Sequence, residues 1–235
     1  MSSQSTLYLF PVPIADNDLN SIPVFNQKLL SQIKYFVVER VRTARRFLKL
    51  VDKQIDIDSI TFIEMDKHNN YENTEEFKTW LNDGVDIGLM SESGVPCIGD
   101  PGNHFVTLAQ NLDANVVPLV GPSSIILSLM ASGLNGQNFQ FEGYLPVKEP
   151  ALRTRLSQIE KDILRIDKTH IFIEAPYRAK KLFDYILKNG SKQLRLCVAI
   201  EIDGPKASIR TKQIGQWKEQ DLKNEKQNVI FLLGK

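Results

Sequence analysis

The stretch "SESGVPCIGDPG" (residues 91–102) places three glycines and two prolines directly after the apolar run "VDIGLM". A hairpin turn needs two to five residues, so a loop of this length after a strand reads as a surface against which something is held. A second stretch, "VPLVGPSSIILSLMASG" (residues 117–133), turns at Gly121 and Pro122 into a helix with Ser123 or Ser124 at its N-cap. Glycine lets a ligand approach the backbone closely, and the free amides of a helix start can donate to it. Neither loop fits GxxxxGK[ST] or GxGxxG, so the ligand need not present a nucleotide phosphate. Taken singly, each loop reads equally well as an ordinary turn.

Charge is unevenly spread. Residues 28–53 carry eight basic side chains against Glu39 and Asp52, whereas residues 54–93 carry ten acids against Lys67 and Lys78. The basic block is either a contact for phosphates or a solvated helix face. His68, His104 and His170 are scattered, and Cys97 and Cys197 stand far apart, which excludes a CxxC site and argues against a metal centre. Two unpaired cysteines fit a reducing cytosol. With no signal-peptide pattern and no apolar run approaching the ~20 residues of a membrane span, a cytoplasmic protein is expected.

The elements that must position these loops follow from periodicity. "TLYLF", "YFVVE", "SITFIE", "VDIGLM", "NVVPLV", "HIFIEA", "LRLCVAI" and "NVIFLLG" read as buried strands. Helices fall between them. "NTEEFKTWLNDG" opens with a capping-box pattern, Asn73 with Glu76, and "PYRAKKLFDYILKNG" runs from Pro176 to Gly190. In residues 148–168, Leu152, Leu156, Ile159 and Ile163 form the apolar side of an amphipathic helix. Trp80 and Trp217 lie outside every motif and read as packing residues, as does Tyr8. Alternating strands and helices predict an α/β protein with largely parallel strands, divided into an N-terminal domain (1–119) and a C-terminal domain (120–235).

Four motifs in order, "ESGVPCIGDPG", "VVPLVGPSSIILSLMASGL", "FQFEGYLPVK" and "IFIEAPYRAKKLFDYI", resemble the tetrapyrrole methylase superfamily. Within it they are most similar to the branch that 2′-O-methylates small-subunit ribosomal RNA. The resemblance implies two α/β domains with S-adenosylmethionine (SAM) in a cleft between them, a homodimer, and ribosomal RNA or the small subunit as partner. It places the SAM loop on Ser91, Glu92, Gly94, Val95, Pro96 and Ile98, and a second wall on Gly121, Pro122, Ser123, Ser124 and Ile125. Tyr144, Leu145, Glu174, Ala175, Pro176, Ala199 and Glu201 would close the pocket. The sequence departs from the branch mainly near the N-terminus, where "FPVPIADNDLN" has lost a glycine and "VERVRTARRFL" carries Arg40, Val41 and Thr43 in place of Asp, Thr and His. Two further substrates stay open: a tetrapyrrole or other small molecule, and none at all, the protein being a non-catalytic SAM-binding module on the ribosome.

Methyl transfer to a hydroxyl is an in-line displacement helped by a base that takes the proton. Glu39, Glu174 and Glu201 stand at predicted strand ends, each either a base or a capping or salt-bridged carboxylate. Glu39 is the preferred base, with Arg42 three residues on as its catalytic companion. Arg45, Arg46 and Lys148 are the expected substrate contacts.

Overall fold

The computed structural model describes residues 4–15, 18–65, 73–223 and 226–235. The chain forms two compact units, Met1–Ser123 and Ser124–Lys235, which part four residues beyond the division expected at 119/120.

The first unit contains strands β1 (Thr6–Leu9), β2 (Tyr35–Val38), β3 (Thr61–Glu64), β4 (Ile87–Met90) and β5 (Asn115–Pro118). Helices α1 (Val24–Leu30), α2 (Val41–Val51), α3 (Thr74–Asn82) and α4 (Asn103–Asn111) connect them. The sheet order is β3-β2-β4-β1-β5 and every pair is parallel. Successive side chains of a strand point to opposite faces, and both faces here are covered. Phe36 and Val38 pack with Leu30 and Leu48 on one side, while Val37 and Ile87 pack with Phe77 and Phe105 on the other. Because all strands run the same way, the residues after each strand gather at one edge of the sheet, the edge where ligands bind in open α/β sheets. Helix α3 does begin after Asn73, but the Asn73 side chain makes no capping hydrogen bond, so the expected capping box is not formed.

The second unit comprises α5 (Ser124–Ser132), β6 (Phe139–Tyr144), α6 (Glu149–Ile166), β7 (Thr169–Glu174), α7 (Pro176–Asn189), β8 (Arg195–Ile200), β9 (Ser208–Gln213) and β10 (Val229–Gly234). Its sheet order is β6-β7-β10-β8-β9, with only β6 and β7 parallel. The expectation of largely parallel strands therefore holds for the first unit and fails for the second. The physical reason is that β7, β8 and β10 are covered on both faces, and a strand buried on both sides is apolar throughout whichever way its neighbour runs. Helices α6 and α7 pack with Phe172, Val198 and Phe231, while α5 packs with Ile171, Cys197 and Leu232. Leu152, Leu156, Ile159 and Ile163 are all buried in the former cluster, together with Trp217. Strands β6 and β9 were not among the eight apolar runs. Strand β9 is a polar edge strand, "SIRTKQ", whose composition protects an unpaired edge. Strand β6 is half-exposed, and its register shifts between Phe141 and Tyr144, beside Gly143 at φ +65°.

Candidate active site

In the first unit the loops after β1, β4 and β5 interlock. Val12 and Gly94 exchange backbone hydrogen bonds, N–H to O at 2.9 Å in one direction and 3.1 Å in the other. Gly94 adopts φ +72°, and a Cβ there would lie 3.1 Å from the Pro122 carbonyl oxygen. At Gly121 a Cβ would overlap the Pro11 ring at 2.2 Å. These two glycines were expected to make room for a ligand, but their close neighbours are other loops of the protein. Their absent side chains let three loops close on one another, so a side chain at residue 121 must push the β1 and β5 loops apart.

The end of β2 is tied to the same assembly. Glu39 Oε2 accepts a hydrogen bond from the Glu92 amide at 3.2 Å, and Arg40 Nε lies 3.4 Å from Glu92 Oε2. Glu64, the last residue of β3, accepts from the Val41 amide at 2.8 Å and so places a carboxylate at the start of α2, where the helix dipole favours it. A cavity of about 270 Å³ opens here, with Val12 and Pro13 from the β1 end, Ser91 and Glu92 from the β4 end, and Thr43 and Arg46 from α2 on its wall. Ser91 Oγ and Glu92 Oε1 are buried without a hydrogen-bond partner among the described residues. Buried polar groups are normally satisfied, so a hydroxyl and a carboxylate oxygen at a cavity wall suit a ligand rich in hydroxyl or ammonium groups. Ribose and the amino-acid tail of SAM both have that chemistry.

The expected substrate arginines part company. Arg46 lines the cavity, whereas the Arg45 guanidinium lies over the Phe62 ring, 5.6 Å from its centroid, a cation–π contact with β3. Arg42 is exposed. Sequence reading passed over Thr43, Phe47 and Leu50 as cavity residues. Their spacing with Arg46 (43, 46/47, 50) is one helix face, so the signal was present once the face toward the loops was known.

Within the loop, Val95 is half-buried, Pro96 buried and Ile98 56% exposed. Burial raises the Asp100 carboxyl above its usual range, with Glu39 and Glu92 adding to the effect and the nearby Ser91 hydroxyl opposing it, although that hydroxyl forms no well-aligned hydrogen bond. A raised folded-state value means that the folded chain binds this proton more tightly than the unfolded chain. Stability then falls as pH rises from the ordinary carboxylate value through the folded one. Asp100→Asn is accordingly expected to melt at a higher temperature than wild type at pH 7, with the difference closing as pH falls towards about 3. Thermal melts of both proteins across that range decide it.

Cys97 sits in the same loop at φ +68°, and burial, with Asp100 second, pushes its thiol up to about 11. Its alkylation by iodoacetamide at pH 8 is expected to run roughly a hundredfold slower than that of an unperturbed thiol. Unfolding in guanidinium should abolish the difference, as read by peptide mapping.

Ser123 is the last residue of the first unit, and the remaining expected site residues lie in the second. Ser124 opens α5, while Ile125, Leu145 and Ala199 are buried core residues. Tyr144 is 63% exposed. Glu174 is buried at the end of β7, accepts from the Ala175 amide at 2.8 Å, and pairs with Arg178 at 2.9 Å. Pro176 is the first residue of α7. The Glu201 carboxylate accepts from the Asn228 amide at 2.6 Å, which ties the end of β8 to the chain entering β10. Lys148 is exposed and precedes the first residue of α6. Among the described residues, no group of three or more His, Cys, Asp or Glu is placed to hold a metal ion, and no helix is long and apolar enough to cross a membrane.

Solved structures with this arrangement of elements include uroporphyrin-III C-methyltransferase of Thermus thermophilus in complex with S-adenosylhomocysteine (TM-score 0.56, 15% identity, 99% of this chain and 98% of that one). A diphthine synthase aligns with TM-score 0.63 and 11% identity over 98% of this chain and 90% of that one. The fold is that of the tetrapyrrole methylases. Among curated sequences, the ribosomal RNA small subunit methyltransferase I of Vibrio cholerae is 30% identical over 230 residues, 97% of this chain and 76% of that protein. Its counterpart in Xylella fastidiosa is 31% identical over 220 residues, 90% and 76% of the two chains. No protein-family model matches the chain. The protein belongs to the ribosomal RNA small subunit methyltransferase I family.

Proposed function

We propose that this protein methylates small-subunit ribosomal RNA with SAM as methyl donor, at a ribose 2′-hydroxyl, and that it works in the cytoplasm as a homodimer of two-domain subunits. The observation that carries this reading is a single cavity bounded by Ser91 and Glu92, expected to touch SAM, and by Arg46, expected to touch RNA. Bound SAM supplies a methyl carbon activated by a positively charged sulfur. The chain's own part is to orient the acceptor hydroxyl in line with that carbon and to take its proton. Glu39 is the proposed base, with Arg42 as its catalytic companion, and the Glu92 amide fixes one Glu39 oxygen. The other carried-over residues of both units are proposed as SAM contacts, and Lys148 joins Arg46 in holding the RNA backbone, while Arg45 packs on Phe62.

The test is transfer of tritiated methyl from SAM to under-modified small ribosomal subunits, with the product mapped for ribose methylation. Wild type should label one site, and absence of label would overturn the reading. Arg46→Ala should weaken subunit binding and lower the slope of log affinity against log salt by roughly 0.7 to 0.9. Arg45→Ala should instead cost about 0.5–1 kcal/mol of stability through the lost ring contact. Equal salt slopes for Arg46→Ala and wild type would argue for a small-molecule substrate.

A further inference from the structure

The second unit carries a pocket whose polar residues, Arg178, Lys181 and Tyr185, have no part in the reaction above. Strands β6 and β7 are parallel, so the residues that follow them, Tyr144 to Lys148 and Ala175 to Lys181, emerge at one end of the pair. Between these segments lies a cavity of about 130 Å³. Val147, Leu152 and Leu182 give it an apolar lining, and Arg178 and Lys181 bring two cations to it. Tyr185 also lines it, and the Tyr185 hydroxyl is buried with no hydrogen-bond partner among the described residues. Arg178 has five N–H donors and uses one nitrogen on Glu174. Lys181 is exposed. Glu149 is the one carboxylate on the wall.

Guanidinium, ammonium and phenol are all donors, and together they suit an anionic oxygen group. The volume is well under the ~300 Å³ of pockets that take whole small molecules, which fits one phosphate group better than a nucleoside. The surroundings identify the source of that phosphate. Tyr177 is 72% exposed at this same strand end, and Lys148, already proposed to hold RNA, stands beside Val147. Exposed aromatic rings flanking basic side chains are how proteins hold single-stranded nucleic acid, rings stacking on bases and cations following the backbone.

We propose that the carboxyl end of the β6/β7 pair is a second contact surface for single-stranded RNA, with one backbone phosphate seated between Arg178, Lys181 and the Tyr185 hydroxyl. This rests on the reading of the protein as an RNA methyltransferase and adds a contact on the second unit.

The experiment titrates a fluorescein-labelled decamer of oligouridylate with the full chain at several KCl concentrations, and repeats it with Lys181→Ala, Tyr185→Phe and Tyr177→Ala. Lys181→Ala is expected to weaken binding about tenfold and to lower the salt slope by roughly 0.7. Tyr177→Ala should weaken binding with an unchanged slope. Tyr185→Phe should weaken binding without lowering the melting temperature, because it removes a hydroxyl that has no partner among the described residues. Affinities and slopes equal to wild type in Lys181→Ala and Tyr185→Phe would overturn the proposal. Inorganic phosphate is the second probe. If it binds wild type and not Lys181→Ala while RNA binding is the same in both, the site takes a free anion and the RNA assignment falls. The readout is independent of methyl transfer. A wild type that fails to methylate subunits but shows these shifts removes the proposed reaction and leaves the surface. A wild type that methylates subunits without these shifts does the reverse.

Discussion

Glu39→Gln is expected to slow methyl transfer by roughly 10²- to 10⁴-fold, the usual contribution of a positioned general base, with SAM affinity nearly unchanged. Gln keeps a carbonyl oxygen that can accept from the Glu92 amide, as Glu39 Oε2 does at 3.2 Å, so the loop bearing Ser91 and Glu92 stays anchored while the proton acceptor is lost. Glu39→Ala removes both functions and should also weaken SAM binding, since the Glu92 amide then loses its acceptor and only the Arg40–Glu92 pair and the Glu39–Met90 backbone bond are left of the described ties between the β2 end and that loop. Single-turnover rates with saturating small subunits, paired with calorimetric titration of SAM, separate the two effects. A Glu39→Gln protein that transfers methyl at close to the wild-type rate, beside a Glu39→Ala protein that binds SAM poorly, would make Glu39 a positioning residue and move the search for the base to Glu92 on the cavity wall.

The second large effect concerns stability. Glu142 on β6 has a side chain only 5% exposed and bridges two partners. His170 on β7, fully buried, meets it through Nδ1 at 2.6 Å, and Arg155 on α6 pairs with its other oxygen. Among the described residues His170 Nε2 has no partner, so Glu142 supplies the ring's one hydrogen bond there. Glu142→Ala strands a fully buried imidazole and takes the carboxylate from Arg155, which keeps its contact with Gln158 at 3.3 Å, and is expected to cost about 3 to 5 kcal/mol, the range for breaking a buried ion pair from one side. In a chain of 235 residues this corresponds to a fall in melting temperature of roughly 6–20 °C. Replacing Glu142, His170 and Arg155 together by apolar residues of similar size should recover most of the loss, because no charge is then left buried without its counterpart. A Glu142→Ala protein within about 1 kcal/mol of wild type would mean that water reaches the pair and screens it.

What the amino-acid sequence determined by itself was local. Short apolar runs are strands because a backbone with side chains alternating to two covered faces buries all of them, and that logic located eight of the ten strands among the described residues. It also marked the start of α7 at Pro176 and the apolar stripe of α6, since a fixed φ and a 3.6-residue period are properties of the segment alone. The ordered motifs led to the methylase family because they combine residue types with spacing. Strand direction was not local. An apolar run such as "NVIFLLG" is equally stable beside a parallel or an antiparallel neighbour, and only the crossovers of the folded chain made three of the four pairings in the second sheet antiparallel. The polar strand β9 needed β8 beside it before its backbone had a partner. The site divides in the same way. Composition identified the loop at 91–102, but the reason for Gly121 is a Pro11 ring 110 residues earlier in the chain, which a Cβ would overlap at 2.2 Å. Helical spacing placed Arg42, Arg45 and Arg46 together, whereas packing against Phe62 turned Arg45 to β3 and left Arg46 at the cavity. A side chain's chemistry is written in the sequence, but which surface it faces depends on neighbours that only tertiary packing brings within reach.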